Sequence, residues 1–351
     1  MRFLENLKNL KAYKTETTPC KIKLSSNESP FDLSEQLKEK IANKIKEIPF
    51  QRYPDPTAKQ LKEILADFIK EEEGISLKPE NFVLGNGSDE IINLLITIID
   101  KNVAYPIPTF PMYQVSSDVA RKNKIEFELD ENFDLVKEQI DKALEKNPDI
   151  FFFASPNNPT GNSFNKDLIN YVIDKGIFTV IDEAYIHFSD KESFLKKAIE
   201  KENVAVLRTL SKIGLASIRV GYLIAKEEIA TQIDKARLPF NITYPSQEIA
   251  KIVLTEGRKE IKNQIKIVKA EREKVIKEVE KIKDIKVYPS DANFFLIRVK
   301  DADYLHKELI KKGILTRNMS HLPKMEGCIR VSIGKPEENE AFIVALKEIF
   351  D

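Results

Sequence analysis

Residues 150–161 read IFFFASPNNPTG and residues 178–185 read FTVIDEAY. Each opens on an almost unbroken apolar run and closes on turn formers or polar groups. A strand with one wet face alternates apolar and polar residues, whereas a strand covered on both faces does not. Both runs therefore predict central strands of a parallel sheet sandwiched between helices. Outward from them, apolar runs of strand length fall at 82–84, 103–105, 125–129, 204–207 and 221–225. Stretches of helical period separate several of these, at 89–99, 134–146 and 166–175. Strands alternating with helices give an α/β unit whose sheet is mostly parallel, over about residues 51–240.

The flanks read differently. Residues 1–50 form an arm, a short extended piece at 22–25, and a helix from Ser34 to about Ile48 that Ser34 is suited to cap. Residues 241–351 form a smaller α+β unit with which the N-terminal segment packs. Its elements are a long helical stretch at 244–283, interrupted near Gly257, strands at 286–288, 293–299, 313–317 and 328–333, a helix at 302–312, and a last helix from Pro336.

The 351 residues carry 56 Lys+Arg against 56 Asp+Glu. A formal net charge of zero argues against a polyanionic partner such as nucleic acid, which calls for a basic excess. Cys20 and Cys328 make no metal or redox motif, so a reducing compartment is expected, and no metal site. The first residues have no apolar core of signal-peptide length, and no window approaches eighteen apolar residues. The expected location is cytoplasmic, with no membrane partner.

Active sites of open α/β sheets lie beyond the carboxyl ends of the strands, so chemistry is sought there. After the first strand comes Gly85-Asn86-Gly87-Ser88-Asp89-Glu90, glycines leading into a helix, where backbone N–H groups suit an anion. Taken alone it is as well an ordinary capped turn. After residue 154, two prolines and Gly161 fix a rigid turn that holds Asn158. Asp182 closes a buried strand, and a carboxylate so placed needs a cation or a donor. Lys212 follows a strand in Thr209-Leu210-Ser211-Lys212-Ile213-Gly214, and a lysine in an apolar setting is readily nucleophilic. Arg330 sits within an apolar strand, where a guanidinium suits carboxylate or phosphate. Arg317 also ends an apolar run.

Together, the Asn before Pro-Thr-Gly, the Asp-x-x-Tyr, the Ser-Lys and the two later arginines resemble the fold-type I enzymes that use pyridoxal 5′-phosphate. The likeness runs from about Asn27 to Gly334. Asn27-Glu28-Ser29-Pro30, Arg52-Tyr53-Pro54-Asp55 and Pro108-Thr109-Phe110-Pro111-Met112-Tyr113 make it similar to the histidinol-phosphate aminotransferase branch.

The resemblance implies a large cofactor-binding domain with a seven-stranded sheet, a smaller domain, and pyridoxal 5′-phosphate held on Lys212 as an imine. It implies Asp182 against the pyridine nitrogen, Tyr185 and Asn158 against the phenolic oxygen, and the ring between Phe110 and Ala184. Phosphate contacts fall to Ser88, Asp89, Ser211 and Arg219. Arg219 follows Lys212 by seven residues, where many members have eight. Tyr53 is expected to reach in from the other subunit of a homodimer. Arg330 is implied to bind the substrate anion, with Tyr13, Asn27 and Arg317 as further contacts. The implied reaction exchanges an amino group between L-histidinol phosphate and 2-oxoglutarate, in ping-pong fashion. The alternatives are an aromatic or broad-specificity aminotransferase and a decarboxylase of a phosphorylated amino acid.

Overall fold

The computed structural model describes residue 16 and residues 18–351. In chain order its first elements are strand β1 (Ile22–Lys23), helices α1 (Glu35–Lys46) and α2 (Lys59–Glu73), strand β2 (Phe82–Asn86) and helix α3 (Ser88–Ile98). Then come β3 (Asn102–Ile107), α4 (Met112–Val119), β4 (Asn123–Glu128), α5 (Lys137–Leu144), β5 (Ile150–Ala154), α6 (Lys166–Asp174) and β6 (Phe178–Asp182). After them follow α7 (Leu195–Glu200), β7 (Val204–Thr209), β8 (Val220–Ile224) and α8 (Glu227–Asp234).

Seven of these strands form one sheet in the order β2-β8-β7-β6-β5-β3-β4. β8 runs antiparallel to both neighbours, and every other pair is parallel. The runs that lacked polar alternation are covered on both faces. Phe151 and Phe153 point to one side, with Ile140, Ile169 and Val172 from α5 and α6. Ile150, Phe152 and Ala154 point to the other, with Ile91, Ile92 and Leu95 of α3. All three phenylalanines are fully buried, and each contributes about 2–3 kcal/mol by leaving water.

The remaining elements are α9 (Tyr244–Thr255), α10 (Arg258–Val279), β9 (Lys286–Tyr288), β10 (Phe294–Arg298), α11 (Ala302–Lys311), β11 (Ile314–Leu315), β12 (Arg317–Asn318), β13 (Cys328–Ser332) and α12 (Pro336–Phe350). β12, β13, β10 and β9 make an antiparallel sheet in that order. β1 pairs in parallel with β11, so the N-terminal segment joins this part of the chain.

Two expectations need correction. The run 313–317 is not one strand: Ile314–Leu315 pairs with β1 and Arg317–Asn318 pairs with β13, in different sheets. Thr316 between them is fully buried, and the chain changes partner there. The helix expected at 134–146 begins only at Lys137, because Asp134 instead accepts from Leu135 N and Asn165 N and holds a turn. The long helical stretch does divide at Gly257. A Cβ there would lie 2.8 Å from Val253 O and 3.0 Å from Leu37 Cδ1.

Candidate active site

The carboxyl ends of the parallel strands surround a partly open cavity. Asp182 ends β6, Asn158 follows β5, Phe110 follows β3, and Lys212 lies in a short 3₁₀ turn (Leu210–Ile213) after β7. Arg219 precedes β8. That strand is antiparallel, so its beginning lies at the same edge as the other strands' ends. Six of the expected cofactor contacts (Ser88, Asp89, Phe110, Asn158, Ser211 and Arg219) line this cavity together with Asp182, Tyr185 and Lys212, and Ala184 joins them.

One end is built for an anion. Gly87 begins α3 with φ +79° and no side chain caps the helix, so the first-turn N–H groups of Ser88 and Asp89 meet the cavity at the positive end of the helix. Arg219 Nη1 donates to Ser211 Oγ at 3.2 Å, and its Nη2 donates to Asp89 Oδ2 at 3.1 Å. Arg219 takes the left-handed conformation at φ 52°, and its carbonyl accepts from Gly87 N at 2.9 Å. A Cβ on Gly87 would fall 2.2 Å from Arg219 Nη2. The shorter spacing from Lys212 thus still brings this arginine to the helix N-terminus. Asp89 contributes its side chain here as well as its backbone.

At the deep end Asp182 is 4% exposed. Its Oδ2 accepts from Tyr113 Oη at 2.8 Å and its Oδ1 from Ala184 N at 3.1 Å. Burial pushes its pKa up to about 6, against the pull of those two hydrogen bonds, with Asp89 also raising it and Lys212 lowering it. Glu183, the next residue, points the other way. Arg208 donates to it from Nε at 3.0 Å and Nη2 at 2.8 Å. Of two adjacent carboxylates, one is neutralised in the interior and the other is left to the cavity.

Lys212 Nζ lies 5.5 Å from the centre of the Tyr185 ring. Asn27 Nδ2 donates to Tyr185 Oη at 3.1 Å, which leaves the phenol proton available to the cavity. Asn27 is fixed in turn by Ser332, whose Oγ accepts from Asn27 N at 2.8 Å and donates to Asn27 Oδ1 at 3.1 Å.

Arg330 Nη1 donates to Asn158 Oδ1 and its Nη2 to Ser25 O, both at 2.6 Å. Because Asn158 accepts through its oxygen, its amide N–H groups stay free of that contact. Arg317 and Arg330 are direct partners in the β12–β13 register, which puts both side chains on one face. Tyr53 does not line the cavity: it is 78% exposed and stacks on Phe240 at 4.5 Å. Tyr13 lies outside the described residues.

Tyr113 was not among the residues expected here. It stood in the Pro-Thr-Phe-Pro-Met-Tyr stretch, three places after Phe110 in the turn that leads into α4, and its place in that motif was the available signal. Asn157, beside Asn158, is a scaffold: its amide donates to Pro108 O and Thr160 Oγ1, and its oxygen accepts from Thr109. Among the described residues no cluster of three His, Cys, Asp or Glu could hold a metal. No described helix is long and apolar enough to cross a membrane.

The family model for aminotransferase class I and II matches residues 19–346. The chain is 52% identical to the histidinol-phosphate aminotransferase of Hydrogenobaculum sp. (strain Y04AAS1), over 99% of this chain and 98% of that protein. It is 48% identical to the histidinol-phosphate aminotransferase of Aquifex aeolicus (strain VF5), over 98% and 97%. The crystal structure of the histidinol-phosphate aminotransferase from Clostridium acetobutylicum matches with a TM-score of 0.84 at 27% identity, over 93% of this chain and 98% of that one.

Proposed function

This chain belongs to the aminotransferase class I and II family, and from that premise we propose that it moves an amino group between L-histidinol phosphate and 2-oxoglutarate, a step of histidine biosynthesis, in ping-pong fashion. Enzymes of this family use pyridoxal 5′-phosphate. The cavity suits that group by the chemistry of its donors. It offers anion donors at one end, a buried carboxylate at the other and a primary amine between them, which answer a phosphate, a pyridine nitrogen and an aldehyde. That one arrangement carries the reading. When bound, the cofactor supplies an electron sink for the bond being broken at the substrate's Cα.

The chain's own residues then divide the work. Ser88 and Asp89 N–H groups, Ser211 and Arg219 hold the phosphate. Asp182 holds the proton on the ring nitrogen. Lys212 would hold the aldehyde end of the cofactor through its amine, and that amine is the chain's group placed to take and return a proton at the substrate's Cα. Tyr185 and Asn158 donate to the ring's phenolic oxygen. Phe110 covers one face and Ala184 the other. Arg330, with Arg317 beside it in the register, takes the phosphate of one substrate and the carboxylate of the other, and Asn27 and Tyr13 are assigned as further contacts. A guanidinium serves both anions through paired N–H groups.

Two further parts belong to this reading. The chain works as a homodimer in the cytoplasm, with Tyr53 completing the neighbour's site. Tyr53, Phe50 and Leu238 are 78%, 73% and 70% exposed and Phe240 stacks on Tyr53, an apolar surface that calls for a cover. Both cysteines are free thiols, which fits a reducing compartment. The chain divides into an arm with part of the small domain (1–50), a cofactor domain (51–240) and a small domain (241–351).

A half-reaction panel tests the substrate. Histidinol phosphate should convert the bound cofactor to its amine form faster than phenylalanine, tyrosine or aspartate does. Conversion by the aromatic amino acids alone would overturn the substrate and leave the aminotransferase.

A further inference from the structure

We propose that Tyr113 is a positioning residue for the cofactor, acting through Asp182: its hydroxyl fixes the carboxylate in one orientation and keeps it in the charged form that the ring nitrogen needs. The inference rests on the reading above, in which Asp182 faces that nitrogen.

Asp182 has one donor on each oxygen, Tyr113 Oη on Oδ2 and Ala184 N on Oδ1. Two donors on opposite oxygens clamp the carboxylate against rotation. The backbone donor is supplied by the turn after β6 whatever the side chains are. The phenol is the donor that the sequence had to provide. The charged and titratable groups that face Asp182 are few: Asp89 from α3 opposes its ionisation, and Lys212 from the turn after β7 favours it. Tyr113 also has Tyr185 and Asp89 near it. Its own pKa is raised far above the usual tyrosine value, chiefly by burial, so it stays a donor.

The phenol is held rigidly. Tyr113 is fully buried in the first turn of α4. Its ring stacks on Phe152 at 4.8 Å and meets Phe110 edge-on at 5.9 Å. The turn that leads into α4, closed by Tyr113 N donating to Phe110 O at 3.3 Å, therefore carries both the aromatic that lines the cavity and the hydroxyl that aims the carboxylate. Phenylalanine would fill the same space, so packing alone does not require the oxygen.

Tyr113→Phe separates the two roles, because it keeps the ring and removes only the hydroxyl. The readout is the dissociation constant of pyridoxal 5′-phosphate from the cofactor-free protein, by equilibrium dialysis between pH 5.5 and 8.5. The variant's acid limb should move upward by about one pH unit, and binding near pH 6.5 should weaken several-fold, roughly the effect of losing one hydrogen bond to a charged group. Introduced into Asp182→Asn, the same substitution should leave the limb where Asp182→Asn puts it. An unshifted limb in Tyr113→Phe, or an equal shift in both backgrounds, would overturn the proposal. If Asp182→Asn itself binds the cofactor as the wild type does, the reading of Asp182 fails instead.

Discussion

Asp182 shows how a residue placed for chemistry weakens the fold around it. Its pKa is about 6 in the cofactor-free protein, against 3.8 for an ordinary aspartate. The folded state therefore binds the proton more tightly than the unfolded state does. Stability falls as pH rises from about 4 to about 6, and stays low above that. Asp182→Asn removes the buried charge. The cofactor-free variant should be more stable than wild type at pH 7.5 by on the order of 1–3 kcal/mol, with the gap closing towards pH 4. Urea unfolding at both pH values measures this, and an equal or lower stability at pH 7.5 would count against the assigned environment. That Lys212, Asp182, Tyr185 and Asn158 meet at one cavity was legible in the sequence, because each stands at or just after the end of an apolar run in a local motif. The Tyr113–Asp182 bond was not, since 69 residues separate its ends. The Asn27–Tyr185 contact, across 158 residues, was hidden for the same reason. Local patterns say what a residue is suited to, and only the fold says which partner it meets.

Among the elements, β8 has the largest effect on the site. Its reversed direction delivers Arg219 to the edge where the parallel strands end, beside the start of α3. The apolar run at 221–225 announced a strand, but hydrophobic pattern carries no sign of direction, so this consequence could not be read beforehand. The junction depends on close backbone approach. A Cβ on Gly221 would lie 2.4 Å from Ser88 N and 2.5 Å from Gly87 C, both backbone atoms with nowhere to go. Gly221→Ala should push the first turn of α3 away from β8. We expect cofactor affinity to fall at least about tenfold and the protein to lose about 1–3 kcal/mol of stability, the usual range for overpacking. Dialysis and urea unfolding would read the two effects. An alanine variant with unchanged affinity would mean that the α3 N-terminus tolerates displacement. The strands at 150–154 and 178–182 were the most legible elements, because burial on both faces removes the polar alternation. The split of 313–317 was the least legible, since two short strands in different sheets leave one continuous apolar pattern.

At the scale of the whole molecule, the α/β architecture followed from the count and order of apolar runs, and charge balance gave no reason to expect a polyanion partner. The expectation of a dimer rests on Tyr53, and Tyr53 stacks on Phe240 in an exposed apolar patch and does not line its own cavity. Sedimentation velocity of the purified protein should give twice the chain mass, and Phe240→Ser with Tyr53→Ser should shift it towards one. A fully active monomer would contradict the shared site. In the proposed reaction Lys212 holds the cofactor and moves the proton during amino transfer. This role is tested most directly with protein reconstituted with pyridoxal 5′-phosphate, by recording visible absorption on adding histidinol phosphate and then 2-oxoglutarate, in wild type and Lys212→Ala. The wild-type band should vanish with the first addition and return with the second. Lys212→Ala should retain the cofactor through its phosphate contacts, and its turnover should fall by at least about a thousandfold, within the range expected for loss of a proton-transfer group. A Lys212→Ala protein that cycles the band at close to the wild-type rate would mean that another group holds the aldehyde and moves the proton.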